Sequence, residues 1–140
     1  MIMLKTHSLT LITGVMKNLF GLLPRNDQSF YHPSINEVIV DLNKFITPDL
    51  CIVDARKGLE GVLRGRTRDV NTIIVGRKAL SVDAAMARIM GFTPERIRHL
   101  VEAEPYDLGT FNPNYLGETI ESTIVEFKTP TNLNSNALIN

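Results

Sequence analysis

Two short runs, Leu50 to Ala55 and Thr72 to Gly76, constrain this chain more than any other feature. Both are almost uninterrupted in apolar or small residues, and three of the five residues of the second are Ile or Val. Such runs fit strands covered on both faces, because a strand half exposed to water alternates apolar with polar side chains. Covered strands need helices to cover them, and the rest of the sequence supplies helical patterns. The expected fold class is therefore α/β: a mixed or mostly parallel sheet flanked by about four helices, in two or three layers. The expected order is β-α-α-β-β-α-α-β.

The helical segments differ in clarity. Ser34 and Glu37 have the spacing of a capping box, and Ile35, Val38, Ile39, Leu42, Phe45 and Ile46 form an apolar stripe that Pro48 ends. A helix is also predicted from Thr13 to Phe20, ending near Gly21. Ser81 is read as the cap of a third, with Val82, Ala85, Met86, Ile89 and Met90 inward and Gly91 closing it. Thr93-Pro94-Glu95 starts a fourth, with a proline at the first helical position. Ile2 to Lys5 reads as a first strand and residues 121–127 as a last, edge strand. The 140 residues fit one domain over residues 1–128, and the Asn-rich stretch 129–140 reads as a frayed tail.

The formal net charge is zero, so nothing draws the whole molecule toward nucleic acid or an anionic membrane. The balance is uneven, however. Between Asp54 and Lys78 there are seven basic residues against three acidic ones, and after that four against eight. A local surplus of this kind points to a small anion or an acidic partner. Cys51 is the single cysteine, which excludes an internal disulfide and an iron–sulfur cluster ligated by this chain alone. Within a strand-like run it reads as a buried, inert thiol. No apolar run reaches the length of a membrane span, and the first residues lack the pattern of a signal peptide. The expected setting is cytoplasmic.

Four segments concentrate polar groups where strands or loops meet helices. Lys5 and His7 share a strand face and precede Gly14, Lys17 and Asn18 at a helix start, where outward backbone amides favour an anion. The alternative is a surface lysine and a hydrogen-bonded histidine beside an ordinary helix. His32, ahead of the capped helix, is a candidate metal ligand with His7, or a local cap. Asp54 and Glu60 lie after a strand, in a loop with glycines on both sides of Glu60. They are candidates for metal binding or acid–base work, against a turn aspartate and a solvated glutamate. Arg64, Arg66 and Arg68, spaced alternately, suit bidentate contact with phosphate or carboxylate, or else a solvated ribbon. Asp83, placed in the first turn of the third helix, is explained by the helix dipole and remains a second-rank metal candidate.

Lys5-Thr6-His7, Thr13-Gly14, Lys17-Asn18-Leu19-Phe20-Gly21, His32, Ile52-Val53-Asp54-Ala55, Gly58 to Gly61, Val82-Asp83-Ala84 and Ala87 to Phe92 together resemble, in the same order, the later part of the family catalogued as domain of unknown function 362. Members normally carry a substantial stretch upstream, so the resemblance implies a partial domain. It implies association with ferredoxin-type iron–sulfur modules, and one cleft shared by His7, Lys17, His32, Asp54, Glu60 and Asp83. Gly61 to Gly65 and Lys78-Ala79-Leu80 depart from the family pattern. Three readings follow: a domain holding a small anion, with or without a divalent metal, with His7, Lys17, Asp54 and Glu60 as catalytic candidates; a non-catalytic partner docking a ferredoxin-like protein through the arginine segment; or a remnant that folds poorly alone. A homodimer is the expected assembly if the partial domain leaves core exposed.

Overall fold

The computed structural model describes residues 2–61 and 65–139. Four strands form one mixed sheet: β1 (Ile2–His7), β2 (Leu11–Thr13), β3 (Cys51–Glu60) and β4 (Arg66–Gly76). Their order across the sheet is β2-β1-β3-β4. β1 pairs antiparallel with β2 and parallel with β3, and β3 pairs antiparallel with β4. The α/β class and the mixed sheet are thus as the sequence indicated. The helices are α1 (Val15–Asn18), α2 (Ile35–Phe45), α3 (Ala79–Ile89), α4 (Arg98–Ala103) and α5 (Ile120–Thr123), with 3-10 turns at Leu19–Leu22, Gln28–Ser34, Pro94–Arg96 and Ser135–Ala137.

The sheet is not covered on both faces. Leu4, Cys51, Val53 and Ala55 point into the core and are essentially inaccessible. Their neighbours Met3, Leu50, Ile52, Ile73 and Val75 are exposed, the last two at 60%. Continuous apolarity therefore describes a strand pair with one apolar face buried and one apolar face open. The supposed loop from Arg56 to Asp69 is largely ladder, with Glu60 opposite Arg66, and β4 folds back directly on β3. The short β2, hidden inside what reads as a helix approach, forms because a turn at Ser8–Thr10 returns the chain against β1.

α2 occupies its predicted place but presents a different face. Ser34 makes no side-chain cap, and the buried positions are Ile35, Asn36, Ile39, Val40 and Asn43, while Phe45 is 88% exposed. Two asparagines can sit inward because their amides find carbonyls: Asn43 donates to Met16 O (2.9 Å) and Ile39 O (2.8 Å), and Asn36 donates to Asn136 O (3.0 Å). α3 buries the five residues assigned to the core, and Gly91 follows it at φ +81°. It starts at Ala79 rather than after Ser81, whose hydroxyl instead bridges to the Thr110 backbone.

Residues 121–127 do not form a strand. Thr119 caps α5, and the extended stretch beyond it bonds to the end of α3, through Val125 N–H to Ile89 O and Phe127 N–H to Met90 O. The segment after Thr129, where a frayed tail was expected, folds back on the body. Asn134 N–H donates to Ser8 O, Ile139 N–H to Arg96 O, and Leu138 bridges to Ile97.

Candidate functional site

Alternation along β1 decides what this region offers. Leu4 and Thr6 face the core, so Met3, Lys5 and His7 face outward. β2 brings Thr13 opposite Lys5, and its hydroxyl donates to Lys5 O (3.1 Å). The chain then turns at Gly14 into α1, which carries Lys17 and Asn18 to the same side. Lys5, Thr13, Gly14, Lys17, Asn18 and Gln28 line a cavity of about 330 Å³ there.

The amides expected to cradle an anion at this helix start are already engaged. Val15 N–H donates to Asp83 Oδ1 (2.6 Å) and Met16 N–H to Asp83 Oδ2 (2.9 Å). Asp83 comes from the middle of α3, not from its first turn, and is wholly buried. Burial pushes its carboxyl up to about 7, against the two amide bonds that favour the anion. A Cβ on Gly14 would overlap this carboxylate, which explains glycine there. Asp83 is thus the buried carboxyl that anchors α1, with no oxygen turned to solvent.

Lys5 and Lys17 form a positive pair, and both, with His32, act on the nearby His7 ring. Burial lowers the His7 pKa to about 4, and Lys17, His32 and Lys5 push in the same direction. Lys17 is lowered by burial and by Lys5, and its ammonium lies 5.3 Å from the centroid of the Phe20 ring. Among the described residues no carboxylate forms an ion pair with Lys5, His7, Lys17 or His32, whereas Lys44, Arg56, Lys57, Arg68, Lys78, Arg88 and Arg98 all have one. Leu9 N–H donates to His7 Nδ1 (3.1 Å), so the neutral ring carries its proton on Nε2 as a donor.

The carboxylates are placed elsewhere. Asp54 lies on the open face beside Arg56, whose Nε and Nη2 donate to its two oxygens at 2.9 and 2.7 Å. That bidentate contact, with a backbone bond, holds its pKa down at about 2. Glu60 accepts from Arg68 Nη1 (3.4 Å) and Lys128 N–H (3.1 Å), tying β3 to the C-terminal segment. Its flanking glycines also have packing causes. A Cβ on Gly58 would strike the Phe127 ring, and Gly61 has φ +118°. Neither acid lines the lysine cavity, and Asp83 is sealed inside, so the six residues expected in one cleft separate into four places: His7 with Lys17 and His32, Asp54, Glu60 and Asp83. Among the described residues no three His, Cys, Asp or Glu side chains gather as a metal site. Arg66 is exposed on β4, Arg68 is committed to Glu60, and Arg64 lies outside the described residues. Cys51 is buried, with its thiol pushed up by desolvation.

Residues 1–88 match the family model described as Domain of unknown function (DUF362). The chain belongs to this family. The segments behind the resemblance from the Lys5-Thr6-His7 strand to Val82-Asp83-Ala84 lie within that match, as does every residue that lines the lysine cavity, while the stretch from Ala87 to Phe92 runs past its end. The chain is also similar to a thylakoid-associated protein of Synechocystis sp., at 27% identity over 110 residues, covering 72% of this chain and 34% of that protein. It therefore spans about a third of the length of this curated relative. No solved structure matches the chain. No helix among the described residues is long and apolar enough to cross a membrane.

His99 is the residue that sequence reasoning missed. It lies in α4, fully buried, and neither ring nitrogen has a hydrogen-bond partner. Its position one residue before core Leu100 and four before core Ala103 was the available signal.

Proposed function

We propose that this domain binds a small anion, of the size of a phosphate or a short carboxylate, in the cavity between β1 and α1. The observation that carries the reading is a pair of ammonium groups, Lys5 and Lys17, that line one cavity and form no ion pair with a carboxylate among the described residues. Gathering like charges costs free energy, and partial burial of Lys17 raises the cost. An anion offsets that cost and accepts hydrogen bonds from both ammonium groups and from the side-chain amides of Asn18 and Gln28, which line the same cavity. The binding is electrostatic with several fixed donors, so it favours compact charge over extended apolar ligands.

The carboxylates first considered as metal ligands do not enter this reading, since Asp54 and Glu60 each already hold an arginine. A divalent cation accompanies the site only through oxygens of the ligand. Calorimetric titration with inorganic phosphate, sulfate and citrate is the test. Binding to the wild type, weakened at least tenfold by Lys17→Ala and partly recovered by Lys17→Arg, is the expected pattern. Equal affinity in the wild type and Lys17→Ala would overturn it.

A further inference from the structure

The free edge of the sheet on the β4 side carries an interaction surface unrelated to the anion site. Among the described residues β4 pairs with β3 alone, so alternate backbone groups along its outer edge have no strand there to bond. From Val70 to Gly76 the strand has no charged residue and no proline, two of the usual protections of an edge, and a bulge at Asn71 is the one such device it carries. Ile73 and Val75 stand exposed on the open face. On the other face, Thr72 to Gly76 border a groove of about 530 Å³ whose floor is Val82, Ala85 and Ile89 of α3. Its outer wall holds Tyr115 and Leu116, the latter 97% exposed. A strand laid along β4 fills this groove with every second side chain and leaves the others beside Ile73 and Val75.

The charge pattern selects the strand. The uncharged run is bounded at one end by Asp69, whose exposed carboxylate also accepts from Lys57 (2.8 Å), and at the other by Arg77, with Ile73 at its centre. A second copy of the same run, paired antiparallel about Ile73, brings its Arg77 end to the Asp69 end of the first, and the reverse at the other end. Asn71, at φ +59°, introduces a bulge near one end and shifts the local register without moving either charge to the wrong end. Parity is satisfied as well. Ile73 meets its own counterpart on the open face, and Ile74 and Thr72 of each copy turn toward the groove of the other. Such a contact is isologous and closed.

We infer that β4 is a dimerisation strand, which joins two copies of this chain edge to edge into a continuous eight-stranded sheet. The proposal does not depend on anion binding. Sedimentation velocity on the whole chain up to about 100 µM tests it, since a pairing of this size must show there to matter. The wild type is expected to dimerise. Asp69→Arg, which sets cations together at both ends, is expected to weaken self-association at least tenfold, and so is Arg77→Asp. The double variant, Asp69→Arg with Arg77→Asp, is expected to restore it. Ile73→Lys, at an exposed position that the monomer fold does not need, is expected to leave only monomer with an unchanged far-UV spectrum. A monomeric wild type overturns the proposal. So does a dimer that none of the single variants weakens, because that dimer uses another surface.

Discussion

His99 shows how one residue can set the acid response of a whole domain. Its ring is fully buried without a partner, so burial depresses its pKa from 6.5 to about 3. The unfolded chain binds a proton there below pH 6.5 and the folded chain does not. Above that pH its burial carries no protonation cost, and stability is lost as pH falls from 6.5 toward 3. Replacing it with a residue of similar size that cannot titrate removes this loss. We expect His99→Leu to match or exceed wild-type stability at pH 7, because no hydrogen bond is sacrificed. Its advantage should then grow by up to about 1.4 kcal/mol per pH unit below 6.5. Urea midpoints at pH 7 and pH 4.5 measure this, and an advantage that stays constant refutes it. Asp83 has the opposite sign. Its carboxyl is raised from 3.8 to about 7, so its contribution is largest below 3.8 and declines as pH rises toward 7. It still binds two amides of α1, and Asp83→Ala orphans both. A loss of about 2–4 kcal/mol in chemical denaturation is expected. His7 reports on the proposed site: saturating phosphate should raise its pKa from about 4, since an anion favours the imidazolium. An unmoved His7 titration in NMR would speak against the anion.

The element scale shows what can be read from pattern and what cannot. β3 and β4 were legible as strands, and α3 as a helix with its five core residues, because long apolar runs and 3.6-residue spacing reflect burial directly. The open face was not legible. Ile52, Ile73 and Val75 are as apolar as any core residue, and only the fold shows that they stand exposed, with none of the described residues covering them. Polar residues misled in the other direction. Asn36 and Asn43 looked like solvent positions on α2, yet they face inward because carbonyls far along the chain, or a helical turn away, await their amides. The candidate site behaved similarly. Lys5, His7 and Lys17 came together because strand alternation and a short turn are local, whereas Asp83 reached α1 across 68 positions, a partnership that spacing does not encode. Glycines near Glu60 suggested a ligand approach, but Gly58 is set by the Phe127 ring. Gly58→Ala is therefore expected to cost about 1–3 kcal/mol through overpacking between β3 and residue 127. A thermal melt reads this, and an unchanged midpoint would mean that the ring moves aside freely.

For the whole molecule, the C-terminal segment decides whether residues 1–128 are a sufficient unit. Its sequence is polar and Asn-rich, yet its contacts reach elements far apart in the chain. Asn134 bonds to the β1–β2 turn, Asn136 O accepts from both Asn36 of α2 and Arg98 of α4, and Ile139 N–H donates to Arg96 O in the 3-10 turn at Pro94–Arg96. Ala137 is completely buried in the middle of this set. The segment therefore clamps α2, α4 and the start of the sheet, and it satisfies Asn36, which is otherwise an interior amide without a partner. Removing residues 129–140 exposes the apolar surface beneath Ala137 and Leu138 and leaves the Asn36 amide unbonded. Each buried polar group so orphaned costs about 1–3 kcal/mol, so a loss of several kcal/mol is expected for the truncated chain. The loss should appear as one cooperative transition at lower denaturant, because the clamp bridges elements that fold together. A truncated chain that unfolds at the wild-type midpoint would show that the segment only rests on the surface. A separate early transition in the full chain would show instead that it detaches before the body unfolds.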